Sequence, residues 1–192
     1  MQTVVFKLGG SLLDLPDLPG RLQVILNQFA DCRPLLIMGG GPAADVVREW
    51  DALHTLGDEA AHWLAIEAMY LGERLVNLLL PDSPIIGQHR GAEHAWENNQ
   101  IPILQASHFL RTQQGNVSSK LPVSWDVTSD SIAAWVTIHW PADELVLLKS
   151  CDYNEDNPDV DPHFSKLACE IPKISWVNLR DDTPQIQSCE LR

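Results

Sequence analysis

Two stretches of this chain run from an apolar, strand-like segment directly into glycines and then into helical spacing. Thr3-Val4-Val5-Phe6-Lys7-Leu8 is β-branched and aromatic and ends at Gly9-Gly10-Ser11. Leu22, Ile25, Leu26 and Phe29 follow at helical spacing, which predicts an amphipathic helix over residues 20–31. Pro34 opens a second apolar run, Leu35-Leu36-Ile37-Met38, which ends in Gly39-Gly40-Gly41-Pro42. Residues 43–53 then read as helix, with Pro42 suited to its first turn. Strand, glycine turn and helix, twice over, is the β-α-β alternation of a parallel α/β sheet.

The rest of the chain continues this pattern. A long helix is expected over 58–80, with Asp58 and Glu59 at its positive end and Pro81 as its stop. Short strands are expected at 85–86 and 101–104, with a helix over 91–99 between them. A helix over 129–138 and a strand over 144–148, ending at Lys149, come next. Residues 152–162, rich in Asp, Asn and Pro, read as a solvated loop. Residues 174–177 read as a last strand at an edge. The chain of 192 residues fits one domain, or one domain with a small appendage.

Charge removes several function classes. Lys and Arg total 13 against 26 Asp and Glu, a formal net charge of -13. A sequence-independent nucleic-acid binder needs a basic surface that this chain cannot easily supply, and anionic lipid is disfavoured for the same reason. No apolar run reaches the ~18 residues of a membrane span. No basic leader follows Met1, and the four scattered cysteines have no CxxC pair, so a reducing cytoplasm is expected.

Four segments carry candidate chemistry. In the first, Gly9, Gly10 and Ser11 can turn N–H groups toward one point, with Lys7 beside them, an arrangement suited to phosphate. The same residues also fit a plain tight turn. In the second, three glycines, Gly39 to Gly41, suggest a close approach to the main chain, or a loose loop. Neither turn matches the GxGxxG or GxxxxGK[ST] patterns, which disfavours a dinucleotide fold or a P-loop enzyme. In the third, Asp126 and Asp130 flank a helix start, and Asp130 also fits a simple helix-dipole role. In the fourth, Lys149 follows a buried strand, as Lys7 does, and only five lysines exist in the chain. Strand ends of open parallel sheets are where ligands bind. No HExxH pair or complete EF-hand loop is present, so no metal-ligating set is assigned.

In this order the segments FKLGGSLL (6–13), IMGGGPAADVV (37–47), WDVTSDSIAA (125–134) and ADELVLLKSCD (142–152) resemble the amino acid kinase superfamily. Within it the sequence looks most similar to the short kinases that phosphorylate aminomethylfuran phosphate in methanofuran biosynthesis, and to their relatives in methylotrophic bacteria. The resemblance implies a three-layer αβα sandwich with a mainly parallel sheet and a shortened C-terminal nucleotide lobe. It implies one domain over 1–192, with residues 1–124 mainly on the acceptor side and 125–192 on a reduced nucleotide side. It also implies ATP with nucleotide-bound Mg²⁺, a small-molecule acceptor and a homo-oligomer.

By the same resemblance, Lys7 contacts the transferring phosphoryl group and Asp130 orients the catalytic lysines. Gly9, Gly10, Ser11 and Lys149 hold nucleotide phosphates, and Lys166 stands in for a lysine that larger members carry in a glycine-rich segment absent here. Gly39, Gly40, Gly41 and Asp126 hold the acceptor, and His62, on the long helix, is a further acceptor contact. The expected reaction is phosphoryl transfer to an anionic acceptor, a phosphate monoester such as aminomethylfuran phosphate. The alternatives are a non-catalytic nucleotide- or oxyanion-binding relative, and a kinase of carboxylates or carbamates.

Overall fold

The structure is a computed structural model and describes residues 1–113 and 120–189. One seven-stranded sheet, in the order β3-β4-β2-β1-β5-β6-β7, organises it. Its centre is made of β1 (Thr3–Leu8), β2 (Arg33–Met38) and β5 (Glu144–Lys149). These are the continuously apolar runs, as expected of parallel strands covered on both faces. β3 (Ile85–Ile86) and β4 (Ile103–Leu104) extend one side. β6 (Ile174–Asn178) extends the other, and all these pairings are parallel.

Helices cover both faces. On one, a short 3₁₀ turn (Gly10–Leu12) and α1 (Leu18–Asn27) bury Leu12, Leu18, Leu22, Ile25 and Leu26 against Phe6, Leu8 and Met38. The other face meets α3 (Asp58–Leu79), α5 (Ala106–Gln113), α6 (Ser129–His139) and α7 (Phe164–Ala168). Their Ile66, Met69, Phe109, Trp135 and Phe164 pack with Val5, Leu35, Ile37 and Leu147. α2 (Gly41–His54) lies along α3, and α4 (His89–Glu97) joins β3 to β4. The three layers match the architecture expected from the sequence.

Four local expectations change. α1 spans 18–27 rather than 20–31, because Pro19 starts it early and the chain turns at Gln28. α5 was not expected, although Ala106, Phe109 and Leu110 sit at helical spacing and are buried. α7 was likewise not expected. β6 is not an edge strand, since β7 (Gln187–Cys189) pairs with it antiparallel and takes the edge. No helix among the described residues is long and apolar enough to cross a membrane.

Candidate active site

The parallel register decides where the lysines go. Lys7 lies opposite Leu147 on the neighbouring strand, so Lys149, two residues further along, projects from the same face at the same carboxyl edge. α6 covers that face and brings Asp130 in its first turn. Lys7 Nζ lies 2.7 Å from Asp130 Oδ1, and Lys149 Nζ donates a 3.0 Å hydrogen bond to Asp130 Oδ2. All three side chains are buried. Lys149 also donates to the main-chain oxygen of Asp159, whose carboxylate lies 3.7 Å from the same ammonium.

Two buried ammonium groups share the one buried carboxylate of Asp130, with the exposed Asp159 carboxylate beside Lys149. Burial lowers the pKa of Lys7, with Lys149 adding to the effect and Asp130 opposing it. Burial alone would raise the Asp130 carboxyl, but the two lysines outweigh it and hold the group below the usual carboxylate range.

The glycine turns have a reason beyond any ligand: they touch each other. A Cβ on Gly10 would lie 2.1 Å from the nitrogen of Gly41, and one on Gly39 would lie 2.5 Å from the nitrogen of Gly10. Gly41 also has φ of 52°, in the left-handed region. The close approach suspected at the three glycines is therefore the approach of the first turn to the second. Gly9 donates to Leu148 O at 2.8 Å and Gly39 to Leu8 O at 2.7 Å, so each turn grows from its neighbour's strand end. The Ser11 and Ser150 hydroxyls lie 2.9 Å apart.

A cavity of about 350 Å³ opens between these parts. Lys7, Gly9, Gly10, Ser11, Gly40, Gly41, His62, Asp130 and Lys149 all line it, as do Ile66, Met69, Val127 and Ile132 with apolar surface. Gly39 supports the turn but is not part of the wall. Asp126 is exposed and Lys166 is exposed on α7, and neither lines the cavity. His62 is buried, with Nδ1 3.2 Å from the carbonyl oxygen of Ser124. A carbonyl only accepts, so Nδ1 carries the proton. Burial lowers the His62 pKa, and its buried Nε2 has no hydrogen-bond partner.

Sequence reasoning missed several participants. Asp45 and Arg48 of α2 line the cavity as an ion pair at 2.6 Å, with Arg48 stacked 5.0 Å from the Trp125 ring centroid. Their signal was the three-residue spacing in the helix that opens at the second glycine turn. Asp159 also lines the cavity. Asp161 is buried and accepts hydrogen bonds from the starts of α6 and α7. The expectation of a solvated loop over 152–162 therefore fails at Asp161. A buried carboxylate surrounded by N–H donors is held, not solvated.

The residues fit a polyphosphate: two buried lysines, glycine turns in the cavity wall that leave room for a ligand, and a neighbouring cation in Arg48. No group of three or more His, Cys, Asp or Glu suited to a metal ion occurs among the described residues. This fold and site define a phosphotransferase of the α/β class. The amino acid kinase family profile matches residues 2–187, and the chain belongs to that family. Among curated proteins none matches the sequence.

Three solved structures share the fold. UMP kinase from Bacillus anthracis is 12% identical with a TM-score of 0.65, covering 97% of this chain and 98% of that one. UMP kinase from Ureaplasma parvum is 15% identical with a TM-score of 0.62, covering 96% and 92%. Uridylate kinase from Archaeoglobus fulgidus is 20% identical with a TM-score of 0.56, covering 84% and 69%. At these identities the likeness is one of fold.

Proposed function

We propose that this kinase transfers the γ-phosphoryl group of ATP to an anionic acceptor, a phosphate monoester such as aminomethylfuran phosphate, forming a diphosphate in one-carbon carrier biosynthesis. The observation that carries this reading is the pair of buried lysines on Asp130, set at adjacent strand ends beside two interlocked glycine turns. Phosphoryl transfer asks mainly for positioning and charge stabilisation. Lys7 and Lys149 supply fixed positive charge, Asp130 fixes their geometry, and the N–H groups of Gly10 and Ser11 face nucleotide phosphates, with Gly9, whose own N–H is held by Leu148 O, shaping the turn. Gly40, Gly41 and His62 in the cavity wall, with Gly39 behind them, belong to the acceptor side; Asp126 and Lys166, exposed outside the wall, have no role in this reading. Mg²⁺, when bound with the nucleotide, supplies further charge neutralisation.

In the reaction an acceptor phosphate oxygen forms a bond to the γ-phosphorus as the bond to the β,γ-bridging oxygen breaks. ADP leaves, and no proton has to be removed from the acceptor. Arg48 at the cavity suits an anionic acceptor. The two other carboxylates that line the cavity already face cations, Asp45 facing Arg48 and Asp159 facing Lys149. Cytoplasmic location follows from the sequence reading alone. Exposed Leu53, Leu71 and Leu78 on α2 and α3 support a homo-oligomer.

Initial rates with ATP and Mg²⁺ against aminomethylfuran phosphate, its dephosphorylated alcohol and acetylglutamate test the assignment. The phosphate monoester should be preferred. Preference for the alcohol would overturn the mechanism, and preference for the carboxylate would replace the substrate while keeping the chemistry.

A further inference from the structure

The loop between β5 and α7 contains a carboxylate that does no surface work. Asp161 Oδ2 accepts from the main-chain N–H of Thr128 at 2.9 Å, the Thr128 hydroxyl at 2.8 Å and the main-chain N–H of Ser131 at 2.9 Å. Asp161 Oδ1 accepts from the Ser131 hydroxyl, from His163 N–H at 3.2 Å and from Phe164 N–H at 3.1 Å. One carboxylate thus caps the first turn of α6 from thirty residues away and ties it to the start of α7. Thr128 occupies the usual capping position but makes no side-chain cap of its own. Asp161 takes over that role.

The first turn of α6 is where Asp130 sits, between Thr128 and Ser131. Two residues before Asp161, the Asp159 main-chain oxygen accepts from Lys149. The loop therefore grips both sides of the Asp130–Lys149 pair: the helix that carries the carboxylate, and the lysine itself. We propose that Asp161 is a positioning residue for phosphoryl transfer, setting Asp130 against Lys7 and Lys149 through the first turn of α6. This rests on the kinase reading above.

The geometry requires a carboxylate in particular. An asparagine offers one acceptor oxygen and one donor amide. If its oxygen served Thr128 and Ser131, its NH₂ would face the N–H groups of His163 and Phe164. Turned over, it would face those of Thr128 and Ser131. In the first orientation His163 and Phe164 keep only their main-chain acceptors, Asp126 O at 3.3 Å and Asp161 O at 3.1 Å, and the tie to α7 loosens; in the second the main-chain N–H groups of Thr128 and Ser131 lose their acceptor and the start of α6 is released. Misplacement of reacting groups by about 1 Å costs on the order of 100-fold in rate.

Asp161→Asn and Ser131→Ala are the informative variants, Ser131→Ala removing a single hydroxyl outside the cavity wall. Two readouts are taken below each variant's melting temperature: kcat and KM with ATP, Mg²⁺ and aminomethylfuran phosphate, and the NMR titration of the Lys7 Cε resonance without substrates. Asp130, Lys149 and Asp159 are the charged groups that act on Lys7. Asp161→Asn should lose about 100-fold in kcat, with KM for ATP changed little. The Lys7 titration should move to lower pH as Asp130 is loosened, and Asp161→Glu should restore part of both. Ser131→Ala should show the same changes in smaller degree, and it decides the question if Asp161→Asn does not fold. A folded variant that melts earlier but keeps wild-type kcat and the wild-type Lys7 titration would overturn the proposal. If the wild type turns over no acceptor, the kinase assignment fails, and the Lys7 titration still decides the role of Asp161.

Discussion

At the scale of single residues, Asp130 is the group on which the site turns. Its two oxygens are divided between two ammonium groups, at 2.7 and 3.0 Å. Asp130→Asn leaves buried Lys7 without its counter-ion and Lys149 with only Asp159. Breaking a buried pair in this way costs about 3–5 kcal/mol, so we expect a clear fall in melting temperature together with loss of turnover. The pH dependence has a fixed sign. Because the folded carboxyl titrates below its unfolded value, its stabilisation is present above the unfolded pKa and is lost as pH falls through the folded one. Acid melts of wild type and Asp130→Asn should therefore converge at low pH, and parallel curves would show that the lysines do not depend on Asp130.

At the scale of elements, carboxylates fasten two helix starts from a distance among the described residues. Asp161 does so for α6, and Glu73 of α3 does so for α5, its Oε1 accepting from the Ala106 N–H at 3.0 Å. Burial raises the Glu73 pKa to about 7, and the Ala106 N–H only partly opposes that. An acid raised in this way contributes stability that is present below its unfolded pKa and lost as pH rises through about 7. Glu73→Gln keeps an acceptor for Ala106 and cannot ionise. It should melt higher than wild type at pH 8, by on the order of 1–3 kcal/mol, and match it near pH 4. Equal melting at both pH values would mean that Glu73 stays charged.

These fastenings also mark where reading the sequence stops. β1, β2 and β5 were legible because uninterrupted apolar runs meet glycine or lysine at their ends. So were Lys7 and Lys149, whose places follow from those ends. α7 and β7 are short and carry little periodicity, and α5, although its Ala106, Phe109 and Leu110 are helically spaced, spans only eight residues. Asp161 looked like one more acid in a polar loop, since its partners lie thirty residues back and only the fold brings them near. Arg48 was hidden for a similar reason: a surface-like ion pair on a helix becomes part of a cavity wall only once α2 and α3 are packed.

At the scale of the whole molecule, the sheet puts its ligand-facing machinery at one carboxyl edge and leaves apolar surface on α2 and α3. Leu53, Leu71 and Leu78 are 74%, 68% and 70% exposed. Sedimentation should show an oligomer that Leu71→Lys with Leu78→Lys disperses without changing the melting of the subunit core. A monomeric wild type would remove the oligomer from the account.

The central claim is that phosphoryl transfer takes place beside Lys7. Lys7→Ala takes away a cation that burial already penalises, so the fold should survive and Asp130 should keep Lys149 as its partner. Loss of one charge-stabilising group at a transition state costs on the order of 3 kcal/mol, or ~100-fold in rate. Turnover of ATP with the phosphate-monoester acceptor should fall by about that factor in a variant that still melts cooperatively. Near wild-type turnover in folded Lys7→Ala would contradict the account.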